Sequence, residues 1–88
     1  MDKEFEVKVD KQKFYSWIIE AYSDMAQMTA RECSEYLYKA GKIPLPIRQA
    51  TAPRITELVD REVLEVVGKK IDIQSKKRVS IYSLLVTE

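Results

Sequence analysis

Side chains that could carry out chemistry are scarce in this chain of 88 residues. It has one cysteine, Cys33, and no histidine. A zinc site built from cysteine and histidine therefore lacks ligands, an intramolecular disulfide cannot form, and catalysis with histidine as the base is excluded. A glycine-rich phosphate loop is also missing from the sequence. We therefore expect a protein that is not an enzyme and that needs no metal or other cofactor.

The charged residues are distributed unevenly, although the formal net charge is only +1. Residues 1–28 hold four basic and six acidic side chains, a net charge of −2, whereas residues 29–88 hold eleven basic and eight acidic ones, a net charge of +3. No acid lies between Glu35 and Glu57, and residues 69–78 carry five basic side chains and one acid, Asp72. Two basic segments in a nearly neutral chain indicate a surface that faces a polyanion.

The elements that must position these charges follow from the spacing of apolar residues. Residues 1–10 alternate as a short strand or an extended arm would. Apolar residues at steps of three and four predict an amphipathic helix from Lys11 to about Gln27 that includes Met25 and Met28. Thr29 and Glu32 form a capping-box pattern that opens a second helix, which buries Cys33 and closes at Gly41.

A third helix is predicted after the proline-containing turn at residues 42–46, and it ends near Glu62. Ile47, Thr51, Ile55 and Leu58 mark its inner side. Pro53 leaves two possible starts, because proline is tolerated only in the first helical turn. Either Thr51 caps a helix that begins near Ala52, or a bent helix begins near Arg48.

The rest of the chain has the composition of β-structure. Residues 64–67 are rich in β-branched side chains, Ile71 and Ile73 alternate with polar neighbours, and residues 79–86 form the return strand. The polar segment 74–78 reads as the tip of a hairpin. The prediction is one α+β domain over residues 1–88, with three helices followed by a two-stranded hairpin.

This order and three stretches of sequence resemble the winged helix-turn-helix superfamily. Thr29-Ala30-Arg31-Glu32 is similar to the opening of the family's second helix, and Ser80-Ile81-Tyr82-Ser83-Leu84 is similar to its closing wing strand. The block from Arg54 to Lys70 resembles the end of the recognition helix and the first wing strand, with Glu62-Val63 where the family has glycine. The resemblance covers residues 12–86. It is closest to the small winged helices of bacteriophages and mobile elements, and looser to multiple-antibiotic-resistance-type repressors.

The resemblance implies binding to double-stranded DNA, in transcriptional regulation or in phage or plasmid DNA transactions. The recognition helix, about residues 48–62, would enter the major groove, while the basic wing at residues 69–78 would neutralise backbone phosphates. The residues expected to contact DNA lie on the second helix (Thr29, Arg31), the third helix (Arg48, Gln49, Ala52, Arg54, Thr56) and the wing (Lys69, Lys70, Lys76, Lys77, Arg78).

Structural alternatives stay open for each of these groups. The outer side of the third helix could be an ordinary solvated face. The wing lysines could protect a sheet edge from aggregation, and Thr29 could simply cap a helix. The competing function is a winged helix that docks on proteins and does not bind DNA. A homodimer through the first helix and the 1–10 arm is also expected, as is a cytoplasmic location in a bacterial or phage-infected cell, without a membrane partner.

Overall fold

The structure, a computed structural model, describes residues 11–85 and shows an α+β arrangement. The three strands of this segment form one antiparallel sheet in the order β1-β3-β2. The strand or arm expected at residues 1–10 lies outside the described residues. The elements are α1 (Lys11–Asp24), β1 (Met28–Thr29), α2 (Ala30–Lys39), α3 (Arg48–Asp60), β2 (Leu64–Ile71) and β3 (Arg78–Leu84).

Helix α1 is shorter than its apolar periodicity predicts. It ends at Asp24 rather than near Gln27, and Met25, which was expected on its inner face, is 49% exposed. Met28 is buried, but it belongs to β1, where it pairs with Tyr82 of β3. The Tyr22 hydroxyl donates to the Met28 carbonyl at 2.9 Å. Pairing with a distant strand therefore overrides the local helical pattern.

Helix α2 confirms the predicted capping box. The Glu32 amide donates to the Thr29 hydroxyl oxygen at 3.2 Å, and the Thr29 amide donates to the Glu32 carboxylate at 2.9 Å. Gly41 follows the helix with a φ of +79°, the left-handed conformation expected of a terminating glycine. Cys33 is fully buried, and burial raises the pKa of its thiol to about 12.

Helix α3 begins at Arg48, so the second of the two possible starts is correct and Pro53 lies inside the helix. Thr51 does not cap a helix. It is buried and donates its hydroxyl hydrogen to the Ala30 carbonyl at 3.0 Å, while its oxygen lies 2.7 Å from the Ser34 hydroxyl. These two contacts hold the first half of α3 against α2. Ile47 was expected on the inner side but is 43% exposed, since it precedes the helix.

Strands β2 and β3 form the predicted hairpin, with a bulge between Val66 and Gly68. Its tip comprises residues 72–77 rather than 74–78, because Ile71 pairs with Arg78 and closes the ladder. Ile73 was expected to alternate within a strand, yet it lies in the turn with 79% of its surface exposed. The end of the expected return strand, Val86, lies outside the described residues.

The core lies where the inner faces of the three helices meet the first residues of the sheet. None of the helices between residues 11 and 85 is long and apolar enough to cross a membrane. The buried apolar side chains are Phe14, Tyr15, Ile18, Ala21, Tyr22, Met28, Ala30, Cys33, Leu37, Ile43, Ile55, Leu58 and Leu64.

Glu62 connects α3 to β2 in a left-handed conformation, with a φ of +64°. This conformation costs a non-glycine residue roughly 1–2 kcal/mol, and glycine avoids that cost. Glycine loses more backbone entropy on folding, which offsets about half of the gain. We predict that Glu62→Gly raises the free energy of unfolding by about 0.5–1 kcal/mol, measured by denaturant titration. Glu65→Gly in β2 is the control and should lower it by a similar amount, as glycine does in a strand interior. A loss of stability in both variants would contradict the strain assigned to Glu62.

Candidate nucleic-acid interface

An open groove of about 360 Å³ runs between the helices and the hairpin tip. One side is formed by the start of α2 and the first residues of α3, and the other by the tip and the beginning of β3. Four of the predicted site residues meet here, namely Thr29, Arg31, Arg48 and Gln49. They are joined by Ala30, Pro46, Ile47, Asp72, Gln74, Ser75 and Val79. The groove thus brings the predicted recognition helix and the predicted wing together on one side of the molecule.

Within residues 11–85, no other segment covers the outer face of α3. Gln49, Pro53 and Thr56 are exposed, and Arg48 is exposed at the start of the helix. Within residues 11–85, Arg48 makes no ion pair. Ala52 is half-buried against the core, so only part of its surface faces outward. Because Thr51, Ile55 and Leu58 take the inner face, these residues form a convex and mostly uncharged surface that ends at the exposed Asp60.

Arg54 lies apart from the groove, on the side of α3 that faces α1. Its Nη2 atom donates to Glu57 at 3.0 Å, and its side chain is only 24% exposed. The Tyr15 hydroxyl donates to the other oxygen of Glu57. This hydrogen bond lowers the pKa of the Glu57 carboxyl and raises that of the Tyr15 hydroxyl. Glu57 therefore joins α3 to α1, and Arg54 pairs with Glu57 within α3.

Arg31 connects α2 to the hairpin tip. Its Nε atom donates to Asp72 Oδ1 at 2.7 Å, and Nη1 donates to Glu35. The side chains of Arg31 and Asp72 are 18% and 8% exposed, so this ion pair is largely shielded from water. Two acids neutralise the Arg31 charge, which was expected to reach a phosphate. Here Arg31 binds the tip, and it leaves Arg48 as the uncompensated cation of the groove wall.

Asp72 also organises the turn itself. Its Oδ2 atom accepts the Ser75 amide at 2.8 Å, and its backbone bonds to Lys76 and Lys77 at 2.8 Å each. Lys76 takes a left-handed φ of +63° to close the loop. The Ser75 amide, followed by the Arg31 guanidinium, lowers the pKa of Asp72 to about 2. One carboxylate thus fixes both the shape of the tip and its attachment to α2.

The cations of the hairpin fall into two groups. Lys76, Lys77 and Arg78, hereafter the tip cations, are exposed and make no ion pair within residues 11–85. Lys69 is also exposed, farther down β2. Lys70, by contrast, donates to Glu32 of α2. Of the five predicted wing cations, one is therefore engaged inside the chain and four remain available.

The role of Asp72 was not predicted from the sequence, where this residue stands out only as the single acid among five basic residues. The sequence feature that could have indicated this role is the spacing of Asp72 and Ser75. An aspartate can accept the backbone amide three residues later and so favours a turn. Its ion pair with Arg31 joins residues forty-one positions apart, so no pattern in the neighbouring sequence predicts it.

The hydrogen bond from the Ser75 amide and the ion pair with Arg31 together predict a pH-dependent contribution of Asp72 to stability. The Asp72 pKa is about 2 in the folded chain and about 3.9 when unfolded. Its contribution is therefore complete above about pH 4 and is lost as the pH falls towards 2. We expect Asp72→Asn to lower the free energy of unfolding at neutral pH, with the difference from wild type shrinking between pH 4 and pH 2 in denaturant titrations.

Asp60→Asn is the matched control, because Asp60 is exposed on α3 and makes no ion pair within the described segment. Its stability should run parallel to that of the wild type over this pH range. A parallel curve for Asp72→Asn as well would show that the ion pair does not hold the tip.

Comparison of the chain with protein-family models, with curated proteins and with solved structures gave no match. The basis for a function is therefore the groove and the charges beside it.

Proposed function

We propose that the protein is a winged-helix domain that binds double-stranded DNA, with α3 in the major groove and the β2–β3 hairpin as the wing. The observation that carries this proposal is the groove shared by the first turn of α3 and the hairpin tip. The tip cations do not line this groove, but they belong to the same hairpin tip as Gln74 and Ser75, which do. One helix fits the major groove of B-DNA, so the exposed outer face of α3 matches that dimension.

Arg48 and Gln49 are the side chains best placed to reach bases in this arrangement. Both are exposed in the first turn of α3, where a recognition helix reads base edges. Arginine recognises guanine through O6 and N7, and glutamine recognises adenine through N6 and N7. Thr56 lies farther along the same outer face. Ala52 and Arg54 also remain predicted DNA contacts. Both are half-buried, so less of each side chain is accessible to DNA.

Phosphate contacts would come from the tip cations and Lys69. The exposed positions of these side chains suit the backbone on either side of the groove, and unpaired cations release counterions when they bind phosphates. Thr29 and Ala30, at the N-terminus of α2, line the same groove, and the positive end of the helix dipole favours an anion there. The Thr29 and Glu32 amides themselves are bonded within the capping box. Arg31 serves the interface indirectly by holding the tip.

This arrangement implies a regulator of transcription or a component of phage or plasmid DNA transactions, acting without catalysis. The homodimer through α1 and the 1–10 arm remains a prediction, as does the cytoplasmic location. A dimer would double the number of base pairs read, since one recognition helix contacts few of them.

Salt-dependent binding to a generic duplex tests the proposal. The slope of log affinity against log salt is negative, and its magnitude decreases by about 0.9 for each phosphate contact removed. We predict that Lys76→Gln with Lys77→Gln weakens binding and reduces the magnitude of this slope by about 1.8, measured by fluorescence anisotropy over a salt series.

The matched control is Lys13→Gln with Lys39→Gln, which removes two exposed lysines that lie on α1 and α2, outside the hairpin. It should leave the slope unchanged. Absence of duplex binding by the wild type at low salt would overturn the proposal and favour a domain that docks on proteins. Equal slope changes in the two double variants would show that the tip is not the contact.

A further inference from the structure

Ile73 is the most exposed of the large hydrophobic side chains between residues 11 and 85. It is 79% exposed, compared with 56% for Ile71, the next most exposed. It lies at the outer end of the hairpin, between Asp72 and Gln74. Both neighbours line the groove, whereas Ile73 does not. Its side chain is therefore exposed to solvent and does not fill the groove.

The turn that carries Ile73 is held rigidly. Asp72, the preceding residue, accepts hydrogen bonds from Arg31 and from the Ser75 amide and bonds through its backbone to Lys76 and Lys77. An exposed apolar side chain on a preorganised turn loses little entropy when it enters a binding site. This favours a role in which Ile73 inserts into a partner.

The surroundings of Ile73 are cationic. Lys76, Lys77 and Arg78 follow it within five residues and make no ion pair inside the described segment. An isoleucine surrounded by cations fits a narrow, anionic and partly apolar cleft. The minor groove of DNA has this character once two base pairs are partly unstacked, and isoleucine is among the side chains that act as wedges there.

We infer that Ile73 wedges between base pairs in the minor groove and kinks the duplex on which α3 sits. The inference rests on the proposed function and extends it from binding to deformation of DNA. A membrane surface is the other target for an apolar tip with cations, but membrane binding scales with buried apolar area, and one isoleucine supplies little. A wedge needs only one side chain.

Two fluorescence measurements on a short duplex with central TA steps test the inference, since these steps unstack most easily. Energy transfer between dyes at the two ends reports bending, and 2-aminopurine beside a TA step brightens when it unstacks. We expect the wild type to bend the duplex by roughly 20–90° and to brighten the probe. An A-tract duplex, which is stiff, should show much less of both.

Ile73→Ala should abolish both signals and weaken binding roughly tenfold, with the salt slope unchanged because no charge is lost. Ile73→Leu, which keeps an apolar wedge, should retain them. Val66→Ala is the matched control, because Val66 is 48% exposed at the base of the same hairpin. It should bend DNA as the wild type does.

Three results would overturn the inference. If Ile73→Ala bends the duplex and brightens the probe as the wild type does, with duplex binding and its salt slope intact, Ile73 is not a wedge. The proposed function would then still stand. No duplex binding by the wild type at low salt would remove both. Binding of the wild type, but not of Ile73→Ala, to anionic phosphatidylserine vesicles without any DNA bending would assign the tip to membranes.

Discussion

The ion pair between Arg31 and Asp72 determines where the hairpin tip lies relative to the helices. A two-stranded hairpin is marginally stable by itself. Two ion pairs join this hairpin to α2, Lys70 with Glu32 on β2 and Asp72 with Arg31 at the tip. The Arg31 guanidinium, shielded from water and bonded to Glu35 as well, fixes one end of α2 to the tip. An isolated surface ion pair contributes little to stability. This pair is shielded, and Asp72 also accepts the Ser75 amide, so its geometry is well defined.

The second constraint is the polar contact between α2 and α3. Thr51 and Ser34 are fully buried, and their hydroxyls bond to each other and to the Ala30 carbonyl. Buried hydroxyls without partners would be costly, so these contacts favour one relative position of the two helices. Since α2 contacts both α3 and the tip, it positions the two sides of the groove relative to each other. Helix α3 also packs against β2 of the hairpin.

Local patterns predicted most elements but not their long-range pairings. The capping box at Thr29, the glycine after α2 and the apolar spacing within α2 all act within a few residues, and each was predicted correctly. The early end of α1 depends on the pairing of Met28 with Tyr82, fifty-four residues later. In the candidate site, the exposed positions of Arg48 and Gln49 followed from helical periodicity. The ion pairs of Arg31 with Asp72 and of Lys70 with Glu32 did not, because they join residues about forty positions apart. The pairing of Arg54 with Glu57 is local, three residues apart in α3, and was not predicted either.

The most direct test of the shared groove is an amide NMR titration of the full chain with a short generic duplex at low salt. The structure predicts that residues 48–49 of α3 and residues 74–78 of the hairpin shift together along one binding curve. Ser16, Glu20 and Ser23, on the exposed side of α1, should change little. Shifts confined to either the helix or the hairpin, or centred on α1, would contradict a single DNA-binding surface formed by both.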